Sequence, residues 1–93
     1  MRTIEWTRQF KKDYKRESRG IYRVVLDEIL FPAVENLAND LPLELRYCDH
    51  ALGGDWKDHR DCHIKPDLIL IYQKVNDDIL RLVRLGSHSE LGL

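Results

Sequence analysis

The interval between apolar residues changes once along this chain, and that change restricts the fold more than any other feature. Ile21, Val24, Val25, Ile29, Leu30, Val34, Leu37, Ala38 and Leu41 recur mostly three or four residues apart, which lines them along one face of a helix. From Trp56 onward the interval drops to two. The stretches Trp56 to Ile64, Asp67 to Lys74 and Asp78 to Leu85 then read as strands, whose side chains alternate between the faces of a sheet. Lys65-Pro66 and Asn76-Asp77 are too short to hold a crossover helix, so these strands pair antiparallel. Helices first and hairpins afterwards give an α+β domain, with the helices covering one face of a small sheet.

The remaining segments fill in the order. Ile4 and Trp6 alternate with polar residues from Arg2 to Trp6, a short opening strand. Thr7 is placed to cap a helix in which Phe10 and Tyr14 continue the four-residue spacing from Trp6, and Arg19-Gly20 ends it. Pro32 lies inside the second helical stretch, where a proline costs about 3 kcal/mol and one hydrogen bond. A kink or a pair of shorter helices is expected there. Asn39-Asp40-Leu41-Pro42 stops the helical region, and the loop up to Gly53-Gly54 carries His50. The expected order is β-α-α-β-β-β, in one domain spanning residues 1–93.

A net charge of −1 does not announce a nucleic-acid binder. Its distribution says more, because Arg8, Lys11, Lys12, Lys15, Arg16, Arg19 and Arg23 meet only Asp13 and Glu17 over the same stretch. That makes one strongly basic helical surface, suited to RNA phosphates or to an acidic partner segment. Cys48 and Cys62 read as separate thiols. Together with His50 and His63 they are the donor types zinc prefers, but adjacent strand residues point to opposite faces and no Cys-x-x-Cys knuckle is present. The longest apolar run, Leu68 to Ile71, is only strand-sized, and the N-terminus lacks a secretion signal, so a cytoplasmic location away from membranes is expected.

Asp49, His50, Lys57, Arg60, Asp61, His63, Lys65, Asp67, Arg84 and His88 gather around the strands. Imidazoles exchange protons near neutral pH, carboxylates orient them, and cationic side chains hold a phosphate as its charge rises. This is an inventory for cutting RNA with neither metal nor other cofactor. With a two-residue turn at Asn76-Asp77, Ile69 would face Arg84, and Arg84 would lie diagonally from Asp67. Pro66 and Lys65 resist the positive φ of a two-residue hairpin, so a loop of three or five residues is expected. That register puts Asp61, His63, Asp67 and Arg84 on one face. His59 has no supporting neighbour and reads as a surface residue.

The run from Asp49-His50 through Trp56-Lys57, Arg60-Asp61-Cys62-His63, Pro66-Asp67 and the strand ending in Tyr72, closed by Arg84-x-Gly86-x-His88, resembles the YafQ branch of the RelE/ParE toxin superfamily. With Leu41-Pro42-Leu43 and the two helices, the resemblance spans nearly the whole chain. It implies a RelE-like fold and the toxin of a type II toxin–antitoxin pair. It further implies an mRNA interferase, cutting message in the ribosomal A site beside 16S rRNA and neutralised by a DinJ-like antitoxin. Matched position by position, His50, His63, Asp67 and His88 correspond to catalytic residues, and Asp61 and Arg84 to supporting ones. Leu68 and the tail Leu91-Gly92-Leu93 stand where the family often has aromatic residues, which bears on nucleotide grip. Two rivals share the fold: a ParE-like gyrase inhibitor, which would not need the three histidines, and an inactive interaction module.

Overall fold

The first and last strands of the chain lie side by side. In a computed structural model that describes all 93 residues, β1 (Thr3–Trp6) runs parallel to β5 (Ile79–Gly86), while β5, β4 (Leu68–Val75), β3 (Arg60–Lys65) and β2 (His50–Ala51) are antiparallel neighbours. The sheet order is β1-β5-β4-β3-β2. Two helices, α1 (Arg8–Glu17) and α2 (Leu26–Ala38), follow β1, and a short helix α3 (His88–Leu91) ends the chain. The expected α+β domain is present, with β2 and α3 as additions. β2 has too few residues to display a period, and it occupies what reads in the sequence as loop. The stretch from Trp56 to His59 is not strand, because Gly54–Trp56 forms a 3-10 turn instead.

The Thr7 hydroxyl accepts the Phe10 N–H at 3.1 Å and caps α1. Phe10 is fully buried, and Trp6 meets it edge-on at 5.0 Å between ring centroids. The second helix departs from expectation at its start. It begins at Leu26, preceded by turns, and Ile21 and Val24 are 85% and 83% exposed. Gly20 closes a turn by accepting the Arg23 N–H, so the apolar spacing of residues 21–25 has no continuous helix to carry it. Pro32, in contrast, neither divides nor ends α2. Leu30, Ala33, Val34, Leu37 and Ala38 on the same helix are buried. Burying one such aliphatic side chain contributes about 1.5–3 kcal/mol, so together they outweigh the hydrogen bond the proline cannot make.

Both hairpins differ in register from the sequence reading. The β3–β4 link is a two-residue turn, Pro66-Asp67, since Lys65 pairs with Leu68. Ile64 is then an extra residue in β3, because His63 pairs with Ile69. That bulge keeps His63 on the face that the shorter turn alone would have taken from it. The β4–β5 turn has three residues, Asn76 to Asp78, because Val75 pairs with Ile79. Asn76 takes a left-handed φ of 53°, which asparagine tolerates. Consequently Ile71, not Ile69, faces Arg84, and Ile69 faces Gly86. Val83 bulges out between the Ile71–Arg84 and Tyr72–Leu82 pairs.

Cys62, Ile64, Leu68, Leu70, Tyr72, Leu80, Leu82 and Leu85 meet α1 and α2 in the main core. Ile69 and Ile71 lie in a separate cluster with Leu91 of α3, covered by Leu52, Trp56 and Val83. The sheet is therefore packed on both faces. The second, thinner layer carries the polar cluster.

Candidate active site

Strand alternation sends Cys62 and Ile64 to the main core and leaves Asp61 and His63 to the other side. β2 exists to the extent that His50 pairs with Asp61 and Ala51 with Arg60, and this pairing sets His50 above the Asp61 carboxylate. His50 Nδ1 lies 2.7 Å from the Cys48 carbonyl and 3.0 Å from Asp61 Oδ1. Its proton belongs to the carbonyl, because the contact to Asp61 lacks hydrogen-bond geometry and Asp61 Oδ1 is buried without a hydrogen bond. Burial pushes the Asp61 carboxyl above its ordinary pKa and Asp49 adds to this, while His50, His63 and His88 pull it back in part.

The last helix supplies the third imidazole. Ser87 and Glu90 form a capping box: the Ser87 hydroxyl accepts the Glu90 N–H at 3.1 Å, and Glu90 Oε1 accepts the Ser87 N–H at 2.9 Å. His88 follows as the first helical residue. Its N–H and its Nδ1 reach Asp67 Oδ1 from the β3–β4 turn. These bonds, the backbone one foremost, hold the Asp67 carboxyl below its ordinary pKa.

The His63 ring stands between the other two, 5.3 Å from His88 and 6.4 Å from His50 between centroids. The result is a row of His50, His63 and His88, in which both outer rings have Nδ1 engaged and Nε2 free. Such rings give or take a proton at Nε2 while the other nitrogen stays oriented. The His50 and His88 side chains are half-exposed, so the row is open to a large substrate.

Of the residues named from the sequence, His50, Asp61, His63, Asp67 and His88 come together. Arg84 does not join them. Its guanidinium donates to Asp13 of α1, with Nε to Oδ2 at 2.7 Å, and the Leu85 N–H reaches the same oxygen at 3.0 Å. The longer β4–β5 turn and the Val83 bulge move Arg84 away from its expected place opposite Asp67. Asp13 is fully buried. Burial pushes its pKa up, but hydrogen bonds from Arg84, Leu85 and Gln9 prevail and leave it below the ordinary value.

Along the basic segment Arg8, Lys11, Lys12, Lys15, Arg19 and Arg23 are exposed and form no ion pair, whereas Arg16 turns inward to Asp13, Glu17 and Glu90. Sequence reasoning gave no structural role to two carboxylates that have one. One is Asp13, hidden in a charge run. The other is Asp49, which accepts the Tyr72 hydroxyl at 2.5 Å and pairs with Arg60 at 3.4 Å, fixing the approach to His50. The capping box was visible in the Ser87-x-x-Glu90 spacing.

Comparison with known proteins gives the family. Residues 2–92 match the family model described as the bacterial toxin of type II toxin–antitoxin system, YafQ. The mRNA interferase toxin YafQ of Escherichia coli K12 is 39% identical over 90 residues, covering 97% of this chain and 95% of that protein. A metal-bound toxin from Helicobacter pylori superposes with a TM-score of 0.87 at 48% identity, covering 98% of this chain and 99% of that one. In the present chain no group of three or more His, Cys, Asp or Glu side chains is placed to hold a metal ion. The E. coli DinJ–YafQ toxin–antitoxin complex matches with a TM-score of 0.82 at 40% identity, over 97% of this chain and 96% of the matched one. A match over nearly the whole chain, with the α+β fold in common, establishes that the chain belongs to the YafQ family of type II toxin–antitoxin toxins.

Proposed function

We propose that the chain is an endoribonuclease that cuts messenger RNA in the ribosomal A site, by proton transfer between histidines and without a metal. The row of three imidazoles, its outer members each oriented through Nδ1, is the observation that carries this reading. His50 Nε2 removes the proton from a ribose 2′-hydroxyl, and the oxygen attacks the adjacent phosphorus. The bond from phosphorus to the 5′-oxygen breaks, and that oxygen takes a proton from His88 Nε2. His63, between them, donates to the phosphate as its charge rises. The products are a 2′,3′-cyclic phosphate and a 5′-hydroxyl end. Asp67 positions His88, and Asp61 lies beneath His50 as a fixed negative charge. Arg84, tied to Asp13, supports the fold rather than the phosphate.

The basic surface of α1 and the turns after it, Arg8 to Arg23, suits 16S rRNA, and a DinJ-like antitoxin is the natural partner in the cytoplasm. Brief expression followed by mapping of transcript 5′ ends tests the reading. Discrete cuts within translated frames that disappear in His88→Ala are expected. Intact messages with defects in DNA supercoiling would favour a gyrase-directed toxin and overturn it.

A further inference from the structure

His63 has a second environment. It lines a cavity of about 350 Å³ together with Arg46, Cys48, Ile64, Lys65 and Pro66. That volume falls in the range of small-molecule sites. Its walls come from two places: the end of β3 with the turn after it, and the 3-10 turn Leu45–Tyr47 closed by Cys48 in a left-handed conformation, φ 49°.

The cavity combines two cations with an apolar floor. Arg46 is held in place before any ligand arrives, since its Nη2 donates to the Tyr47 hydroxyl at 3.0 Å and its guanidinium carbon sits 4.5 Å from the Tyr47 ring centroid. Tyr47 is itself buried. The only carboxylate on Arg46 is exposed Glu44, at 3.3 Å, and an exposed pair of that kind exchanges readily. Lys65 has no carboxylate partner at all. Ile64 is buried and supplies apolar surface with Pro66.

Resting on the endoribonuclease reading, we infer that this cavity holds the nucleotide next to the bond being cut, with its phosphate between Arg46 and Lys65 and its base against Ile64 and Pro66. His63 joins the two sites, so a strand crossing the histidine row runs into this cavity. The grip falls on the RNA backbone. Phosphate contacts set position without reading sequence, and no Phe, Tyr or Trp lines the cavity to select a base. Arg46 and Lys65 therefore govern how tightly message is held and leave cut-site preference unchanged.

Cys48 provides a reporter independent of cleavage. It is exposed on the cavity wall, while Cys62 is buried and its thiol is pushed well above the ordinary pKa by burial, so a thiol reagent modifies Cys48 alone. The probe is an RNA trinucleotide whose first and second 2′-hydroxyls are both replaced by hydrogen, so that neither of its phosphodiester bonds can be cut. It should protect Cys48 of the full chain from iodoacetamide. Arg46→Ala with Lys65→Ala should abolish that protection, raise KM for RNA roughly tenfold with kcat little changed, and flatten the slope of log affinity against log salt by about 0.7 for the one phosphate no longer neutralised.

If the trinucleotide shifts the ring resonances of His63 and His88 while Cys48 reacts at its free rate, the inference is overturned and the nuclease stands. Protection of Cys48 by RNA that the chain never cuts overturns the nuclease and keeps a nucleotide site. Neither protection nor histidine shifts overturns both.

Discussion

The backbone N–H and the ring Nδ1 of His88 converge on one oxygen of Asp67, at 2.9 and 2.6 Å. A carboxylate that receives both is a weaker base, because its basicity is lowered by the bonds that occupy it. It aims the ring. His88→Ala should lower single-turnover cleavage by about 10² to 10⁴-fold, and Asp67→Asn by less, since the ring survives with a weaker anchor.

The same contact has a signature in acid. A carboxyl held below its ordinary value of 3.8 contributes stability that is complete above that value and is lost as pH falls through the lowered one. Thermal melts of the native chain and of Asp67→Asn should differ at pH 7 and converge well below 3.8.

Asp61 carries the opposite sign. Burial raises its pKa, so its ionised form opposes folding: the penalty begins above 3.8 and is complete once pH exceeds the raised value. Asp61→Asn should therefore gain about 1 kcal/mol at neutral pH. The gain should vanish on acidification below 3.8. Cleavage should fall in the same variant, because His50 loses the charge beneath it. Melting curves and cleavage rates from pH 4 to 7.5 check both halves, and a variant that is less stable at neutral pH would contradict the assignment.

Arg84 separates a structural from a phosphate-binding role. Removing it takes from fully buried Asp13 its closest cation and leaves Arg16 as the remaining one, and breaking a buried pair costs about 3–5 kcal/mol. Asp13 keeps the Leu85 N–H, so Arg84→Met should sit near the lower end of that range by denaturant melts. At a temperature where the variant stays folded, its KM for RNA should be close to native. A large rise in KM without loss of stability would return Arg84 to the phosphate.

How far the sequence could be read depended on what each feature reports. The change of apolar interval identified α2 and β3 to β5, because burial on one face enforces a period. The Pro-Asp turn and the histidine spacing brought Asp61, His63, Asp67 and His88 to one face, yet by two compensating departures: a shorter turn than expected and a bulge at Ile64. Bulges leave no periodic trace, so Arg84 was misplaced for the same reason that His63 was placed well. Ile21 and Val24 show the reverse failure, apolar residues at helical spacing with no helix beneath them. β2 is a consequence of pairing with β3, and two residues cannot signal it alone.

Pro32 was expected to kink or divide α2, and the helix runs undivided from Leu26 to Ala38. The intact helix still lacks the hydrogen bond that residue 32 would donate to the Glu28 carbonyl. Pro32 is exposed, so alanine there should restore the bond without disturbing the core. Pro32→Ala should stabilise the chain by about 1–3 kcal/mol, read as a higher denaturant midpoint at constant m-value. A loss of stability would mean that the ring makes contacts on α2 which matter more than the missing bond.

Gly86 links α1 to His88 through space rather than contact. A Cβ built on it would lie 2.7 Å from Arg16 Nη2 and 3.2 Å from Glu90 Oε1. Arg16 needs that space, because it donates to the Leu85 carbonyl at 2.7 Å and pairs with Glu90 at 3.0 Å. Glu90 in turn completes the box that starts α3 and presents His88. Gly86→Ala should push the guanidinium outward, cost about 1–2 kcal/mol, and reduce kcat roughly tenfold by loosening His88, as a small misplacement of a proton donor does. Arg16→Ala should reproduce most of both effects. If Arg16 is the intermediary, adding Gly86→Ala to Arg16→Ala costs little more, since the methyl then enters vacated space. Additive losses in that double-mutant cycle would show that Gly86 acts through the backbone of β5 and that Arg16 has no part in holding the histidine.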